Sequence, residues 1–306
     1  MKKFLLKLIG LMFILLIISI AIEVSLLYKT NIYSYKHQYV LSHKDEIKVL
    51  MMGNSHISYS IIPDSVGDGV FNHAIPARPV YYDAELIKQY IPLLNNLEVV
   101  IMPLDYQRFY LDREVDVQNI YESKEKSTIK CMYFKYMNVK TDWWYWSELL
   151  NSKLNYMSRI IMTEKSAREC DSLGFQILSL EKKKKRWEYS ALPKLIDSTK
   201  VINQKAYDQL YCYYKDMAQV TYNNNIRLIL LGTPMYKTFW DNMNDVIVRD
   251  RERFVSKLKA TYPNVEYYDF TCDIRFNPDD FYNTNHLTEV GAAKFSRIIK
   301  GILERR

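Results

Sequence analysis

The sequence predicts an α/β protein in which a parallel β-sheet is covered by helices on both faces. Short apolar runs alternate along the chain with longer segments of helical periodicity. Two of the early runs end at Gly53 and Pro103, residues that commonly mark the end of a strand. Strands that alternate with helices of this length are typical of parallel sheets, and these sheets bind ligands at the carboxyl ends of their strands.

The order of these runs gives the predicted elements. Apolar runs predict strands over residues 47–52, 70–75, 98–102, 227–231 and 265–270. Helical periodicity predicts helices over residues 81–94, 204–222 and 245–260, and a last helix after Thr288. Residues from 104 to about 198 are aromatic and charged without strand alternation, which we interpret as a mostly helical insertion. A chain of 306 residues can bury one substantial core, so residues 46–306 are predicted to form one domain.

The N-terminus predicts a membrane-targeting segment. Three lysines precede an uncharged run from Leu8 to Ile22, and the apolar stretch approaches the roughly 20 residues that cross a bilayer. Positive charge before the span places the rest of the chain outside the cytoplasm, on the periplasmic or outer face. We therefore predict a single-pass anchor over residues 1–28, a membrane-proximal linker over residues 29–45, and an extracytoplasmic C-terminal domain.

Two alternatives to an uncleaved anchor remain open for this segment. Ser19 and Ala21 have the small-residue spacing of a cleavage site, so the segment could be a removable signal peptide. It could also be a buried helix of the protein core. Bulky flanking residues, and an apolar patch that continues through Val24, Leu26 and Leu27, favour the anchor.

Cysteine usage and charge set limits on ligands and partners. Cys131, Cys170, Cys212 and Cys272 are widely spaced and form no Cys-x-x-Cys pair, so we expect no metal and no cofactor, while disulfides and free thiols both stay open. The net charge of +7 owes much to the run at 182–186, which is typical of a solvated helix face. An anionic envelope polymer or lipid surface would match this charge, whereas the predicted compartment argues against nucleic acid.

A candidate nucleophile follows the first predicted strand. Ser55 lies in Gly53-Asn54-Ser55-His56, where a tight turn after the strand would expose its hydroxyl at the carboxyl edge of the sheet. A serine hydroxyl needs a base to accept its proton, and His286 lies between the last strand and the last helix, at the same predicted edge. The alternative is that Ser55 only caps the helix that follows.

These motifs resemble those of the SGNH, or GDSL-like, hydrolases. The resemblance rests on the segments 53–56, 71–78 and 286–288 with Gly291, and it covers roughly residues 45–105 and 225–304. With Thr233-Pro234, the chain is also similar to the membrane-anchored envelope branch of that family, which includes D-alanyl transfer and polysaccharide O-acetyl transfer proteins. The resemblance implies a flavodoxin-like three-layer α/β/α fold, a Ser-His pair completed by an Asp three residues before the His, and an oxyanion hole.

The chain departs from the family pattern beside the predicted base. Asn283 occupies the position three residues before His286, where the resemblance implies Asp. An amide can hold the imidazole by hydrogen bonding, but it cannot stabilise the imidazolium as a carboxylate does. The predicted catalytic residues are therefore Ser55, His286 and Asn283. Asp279 or Asp280 is a candidate third triad member, and Asp269 is a more distant one.

The chain also departs from the pattern at the oxyanion hole. Ala77 stands where a Gly is expected, although its backbone N–H can still serve. The third block reads Leu104-Asp105-Tyr106 and offers no Asn, so Asn72 is the predicted side-chain substitute. The predicted oxyanion donors are the N–H groups of Ser55 and Ala77 together with Asn72.

Resemblance and location together predict an extracytoplasmic serine esterase or O-acyltransferase that acts on acyl groups of cell-envelope glycans. Water as the acyl acceptor gives an esterase, and a sugar hydroxyl gives a transferase. The departures keep open a catalytically weak or inactive envelope protein that binds or assembles surface polysaccharide. No carboxylate pair is singled out by spacing, which argues against a glycan hydrolase that uses paired carboxylates.

Overall fold

The computed structural model describes residues 1–27, 31–109, 169–183, 187–189 and 203–305. These residues fall into two compact units, one with the described part of 1–37 and residue 169, and the other with the rest. Helices and strands are numbered here in chain order through the described residues. Most of the predicted insertion at 104–198, and with it Cys131, lies outside them.

The first unit contains the N-terminal helix α1, Lys2–Leu27. Of this helix, 24 residues from Lys2 to Ser25 are apolar enough to cross a membrane, and they span about 36 Å at 1.5 Å per residue. Large apolar side chains such as Phe4, Ile9 and Phe13 are exposed along it. The helix is thus consistent with a single-pass anchor. Helix α2, Ile32–Ser42, follows within the range predicted as a linker.

The second unit is built on a five-stranded parallel sheet with the strand order β2-β1-β3-β4-β5. This is the order of flavodoxin-type doubly wound folds, and it confirms the predicted α/β class. The strands are β1 (Val49–Met51), β2 (Val70–Asn72), β3 (Val99–Pro103), β4 (Arg227–Gly232) and β5 (Val265–Asp269).

Strand side chains alternate between two apolar layers. Val49 is in register with Val99, and Ile101 with Ile229, and these odd-numbered positions pack in one cluster with Phe295. The even-numbered positions between them point to the opposite face and are also buried. A strand that is buried on both faces reads as a continuous apolar run, which is why the sequence predicts these strands well.

Helices cover both faces of the sheet. On one face α4 (Pro63–Val66) contacts α9 (Glu289–Leu303), and on the other α6 (Gln204–Asn223) contacts α5 (Val80–Tyr90) and α8 (Asp245–Thr261). The short helices α3 (Ser55–Ser58) and α7 (Lys237–Trp240) begin in the loops after β1 and β4.

Two predicted boundaries are wrong for local chemical reasons. Helix α5 ends at Tyr90 and a 3₁₀ turn follows over Ile91–Leu93, because Pro92 has no N–H to continue an α-helix. Strand β2 ends at Asn72, because the Asn72 side chain accepts a hydrogen bond from the backbone N–H of Ala74 and turns the chain.

A short antiparallel hairpin lies between β5 and α9 and was not predicted. It pairs β6 (Phe281–Asn283) with β7 (His286–Leu287). The described end of the insertion runs beside the site-forming elements, where Leu173 accepts from the N–H of Asn72 at 2.9 Å. The sheet, the hairpin and this segment together position the polar residues at the carboxyl ends of the strands.

Candidate active site

The exit from β1 is shaped by a glycine that no other residue can replace without strain. Gly53 has a φ of +111°, and a Cβ built on it would lie 2.3 Å from Cδ of Pro103. The turn delivers the chain into α3, whose N-cap is Asn54, with its side chain accepting from the N–H of His56 at 3.0 Å. Because Asn54 is the cap, the hydroxyl of Ser55 is not used for capping.

The β6–β7 hairpin carries His286 to the same edge. Asn283 accepts hydrogen bonds from the backbone N–H groups of Asn285 and His286, at 3.0 and 2.9 Å, and so closes the turn. Thr288 caps α9 behind the hairpin, where Gly291 packs so closely that an added Cβ would lie 2.1 Å from the carbonyl oxygen of Asp280. The hairpin is therefore held at both ends.

The structure brings Ser55 and His286 together, with 2.8 Å between Oγ of the serine and Nε2 of the histidine. Nδ1 of His286 lies 3.2 Å from Oδ1 and 3.1 Å from Nδ2 of Asn283. Oδ1 is the acceptor of the two backbone N–H groups of the turn, so the amide presents this oxygen toward the ring. When Nδ1–H donates to Asn283, Nε2 is left as an acceptor for the Ser55 hydroxyl. This is the tautomer that a general base requires.

The same site keeps His286 neutral. Burial is the main cause that lowers the pKa of His286, to about 3; a proton on His56 would lower it further, whereas the carboxylate of Asp105 acts in the opposite direction. His286 is therefore unprotonated at neutral pH and able to accept a proton.

The carboxylates predicted as a third triad member lie elsewhere. Asp280 accepts from the N–H of Asn277 at 2.7 Å and pairs with Lys294, while Asp269 pairs with Arg251. Asp279 contributes its backbone carbonyl, which accepts from the Thr288 hydroxyl. Within the described ranges no hydrogen bond joins any of these three carboxylates to His286. Their predicted role does not fit this geometry, because Asn283 occupies Nδ1.

The predicted oxyanion donors have different environments. The backbone N–H groups of Ser55 and Ala77 have no hydrogen-bond partner in the part of the chain that the structure describes. Ala77 is exposed and has a φ of +60°, a conformation that fits the Gly expected there. Asn72 does not fit the predicted role, because it is buried and its amide donates to the backbone carbonyls of Ile57 and Ile61, at 3.2 and 3.0 Å.

The sequence did not predict the pair of His56 with Asp105, which lies beside the pair of Ser55 with His286. Nδ1 of His56 lies 2.5 Å from Oδ1 of Asp105. The other carboxylate oxygen, Oδ2, accepts from the side chains of Asn54 and Arg108, at 2.7 and 3.3 Å. Burial alone would raise the pKa of Asp105, but His56, Arg108 and Asn54 together hold it well below its usual range. The signal for this pair was the position of Asp105 two residues after the end of β3, at the same carboxyl edge as Ser55.

A buried ion pair supports the loop from behind. The side chains of Arg78 and Asp83 are both inaccessible to solvent, with 2.5 Å between Nη2 of Arg78 and Oδ1 of Asp83. The same Oδ1 accepts from the backbone N–H of Gly53 at 2.9 Å. Burial raises the pKa of Asp83, opposed by the positive charges of Arg78 and Arg108. The pair therefore ties the turn before Ser55 to helix α5.

Other reactive groups lie apart from this arrangement. No cluster of three or more His, Cys, Asp or Glu side chains suited to a metal occurs in the described residues. Cys212 and Cys272 are exposed free thiols. The described residues place a hydroxyl beside an imidazole at the carboxyl edge of the sheet.

Comparisons with known proteins add little to this geometry. Neither a protein-family model nor a curated protein sequence matches the chain. Among solved structures it is similar to a Streptococcus pneumonia structure provisionally described as a platelet activating factor, with 10% identity and a TM-score of 0.47. That likeness covers 89% of this chain and 92% of the other. At such a distance it carries no conclusion about activity.

Proposed function

We propose that this protein is a membrane-anchored extracytoplasmic serine esterase or O-acyltransferase of the SGNH type. The observation that carries the proposal is the 2.8 Å contact between Oγ of Ser55 and Nε2 of His286. These residues are 231 positions apart in the chain, and the exit from β1 and the β6–β7 hairpin bring them together, so their contact is a product of the fold. A hydroxyl at hydrogen-bond distance from a correctly oriented imidazole is the arrangement of an activated nucleophile.

The proposed reaction proceeds in two steps that regenerate the protein. The Ser55 hydroxyl gives its proton to Nε2 of His286 as its oxygen attacks the acyl carbonyl carbon, while the N–H groups of Ser55 and Ala77 stabilise the oxyanion. The bond to the leaving alcohol breaks, and that alcohol takes the proton from His286. A water or sugar hydroxyl then gives its proton to His286 as its oxygen attacks the acyl carbonyl carbon, the bond between that carbon and Oγ of Ser55 breaks, and Oγ takes the proton back from His286.

The proposed substrates are acylated glycans or other polymers of the cell envelope. The N-terminal helix supports this assignment, because an anchored domain acts on material near the membrane surface. The segments 53–56 and 286–288 also support these substrates, because they resemble the motifs of envelope acyl-transfer proteins. Both features fit an esterase, with water as the acyl acceptor, and an O-acyltransferase, with a sugar hydroxyl as the acceptor.

A fluorophosphonate probe tests this function, because it modifies a serine only when a base activates it. We expect the full-length protein in detergent to be labelled, and the label to disappear in Ser55→Ala. Ser65→Ala, a partly exposed serine on α4, is the matched control and should label like the unaltered protein. Folded protein that resists labelling would contradict the proposal and favour the alternative role in polysaccharide binding or assembly.

A further inference from the structure

The two loops that supply Ser55 and His286 are joined by a second contact between the neighbouring residues. Ser55 contacts His286 at 2.8 Å, and His56 contacts Asn285, with 3.1 Å between Nε2 of the ring and Nδ2 of the amide. The residue after Ser55 therefore contacts the residue before His286. Two parallel cross-links fix the relative orientation of two loops better than one.

The second cross-link continues to a carboxylate. Asp105 follows β3 and contacts Nδ1 of His56, so Asp105, His56 and Asn285 form a continuous chain that ends beside His286. All three residues are buried, with 1%, 1% and 4% of their surface exposed. Buried hydrogen-bonded groups of this kind are rigid, because breaking one contact leaves a polar atom unsatisfied.

One tautomer of His56 satisfies both of its contacts. An Nδ1–H that donates to Asp105 leaves Nε2 free to accept from the amide N–H of Asn285. With this tautomer the His56–Asp105 pair carries one negative charge. The amide of Gln107 is farther away, 3.5 Å from the same Nε2.

This negative charge meets a need of the reaction. When His286 accepts the proton from Ser55 it becomes a cation, and the Asn283 amide that faces its Nδ1 supplies no charge. The ring of His56 lies edge-on to that of His286, with 5.2 Å between the centroids, so Asp105 is one ring away from the cation. Nε of Arg108 lies 3.3 Å from Oδ2 of Asp105, and its positive charge offsets part of the negative charge of that carboxylate.

We propose that the Asp105–His56 pair, acting through Asn285, positions His286 and balances its positive charge, in place of a carboxylate at position 283. This role rests on the proposed serine chemistry. His56, Asp105 and Asn285 are positioning residues, since none of them contacts the hydroxyl of Ser55 among the described hydrogen bonds.

The rate of fluorophosphonate labelling at Ser55 measures this role without knowledge of the natural substrate. We expect His56→Leu to slow labelling by about 100-fold, because a small displacement of a reacting group has effects of that size. His56→Gln should restore the rate to within about 10-fold of the unaltered protein, because its amide donates to Asp105 and accepts from Asn285. Asp105→Asn keeps the shape and removes the charge, and it should slow labelling by about 10-fold or more.

His43→Gln is the matched control, because His43 precedes β1 and lies at the opposite edge of the sheet. It should label at the rate of the unaltered protein. If His56→Leu fails to fold, Asp105→Asn and His56→Gln decide the question. Folded Asp105→Asn that labels at the unaltered rate overturns the proposed role, while labelling that is already absent in the unaltered protein overturns the serine chemistry and the role with it.

The ¹⁵N NMR resonances of the His56 ring give a readout that a purely structural contact would not move. We expect a protonated Nδ1 and an unprotonated Nε2, and we expect Asp105→Asn to change this distribution. The Asn285 amide oxygen has no partner within the described residues, so a turned amide would instead accept from a protonated Nε2. A protonated Nε2 at neutral pH would make the pair uncharged and overturn the charge-balancing role.

Discussion

The two histidines at the carboxyl edge of the sheet differ in exposure and in the group that lies at Nδ1. His286 is partly exposed and contacts a hydroxyl and an amide, whereas His56 is buried and contacts a carboxylate. We call Ser55 with His286 the outer pair and His56 with Asp105 the inner pair. The comparison teaches that the hydroxyl–imidazole contact and the buried carboxylate belong to two different histidines, and the proposed function assigns proton transfer to the first pair and charge to the second.

Burial explains the separation. The outer pair keeps some exposure, which the proposed chemistry requires for a substrate to enter, and among the described residues the group at Nδ1 of His286 is the neutral amide of Asn283. The inner pair is sealed behind it, where a carboxylate keeps its charge because His56, Arg108 and Asn54 compensate its burial. If chemistry belongs to the outer pair and structural support to the residues behind it, variants of the two groups will differ in labelling and in stability.

The largest effect is expected for His286→Ala, which removes the base. Labelling of Ser55 and hydrolysis of an activated ester should both fall by about 1000-fold, within the usual range for general base catalysis. His286→Ala in a Ser55→Ala background should cause no further loss, because the two residues act as a unit. Rate measurements on the single and double variants check this, and additive losses would show that the outer pair does not work together.

The next effect concerns stability and the buried ion pair behind the loop. Arg78→Met leaves Asp83 buried without its partner, and we expect the free energy of unfolding to fall by about 3–5 kcal/mol in urea titrations. Arg227→Met is the matched control, because Arg227 pairs with Glu266 at 2.6 Å in a half-exposed position. It should cost about 1 kcal/mol or less. Equal losses would remove the contrast between sealed and exposed charges.

Gly53→Ala should have a smaller effect on stability and should also disturb the outer pair. The added methyl group overlaps Pro103 in a backbone region that favours glycine, so the expected loss is about 1–3 kcal/mol together with slower labelling. Gly301→Ala in α9 is the control, because no atom lies within 4 Å of its added Cβ. Thermal unfolding should show that variant to be at least as stable as the unaltered protein.

The smallest effect is expected where a carboxylate is given to the outer pair directly. Asn283→Asp should speed labelling by about 10-fold, far less than the effect of about 10⁴ seen for the equivalent group in a serine protease. The inner pair already supplies part of that charge. A gain near the larger figure would mean that the inner pair contributes little.

The pH dependence of the same variant has a definite sign. A carboxylate beside His286 stabilises the imidazolium and raises its pKa, which in the unaltered protein is lowered to about 3. Labelling requires the neutral ring, so the loss of labelling at acid pH should move to higher pH in Asn283→Asp. A profile that does not move would show that residue 283 does not face the titrating ring.

Much of the scaffold was predictable because its signals are local. Strands β1 and β3 are continuous apolar runs, and the helices between the strands have clear periodicity, so the α/β class follows from the sequence. Topology alone then directs Ser55 and His286 to one edge. The β6–β7 hairpin was missed because its strands are too short to show a pattern.

The inner pair could not be assigned with the same ease. His56 and Asp105 are 49 positions apart, and no spacing in the sequence joins them. Their contact depends on how far α3 turns after Gly53 and on the neighbouring positions of β1 and β3 in the sheet. Asn72 failed as an oxyanion donor for a related reason, since its amide closes the backbone around α3.

The most direct test is to trap the acyl-enzyme and find the residue that carries it. Full-length protein would be mixed with an activated acyl ester, quenched in acid and digested, and the peptides would be mapped by mass spectrometry. We predict one acyl group on Ser55, absent in Ser55→Ala and strongly reduced in His286→Ala. An acyl group on another residue, or none on folded and active protein, would contradict the assignment of Ser55 as the nucleophile.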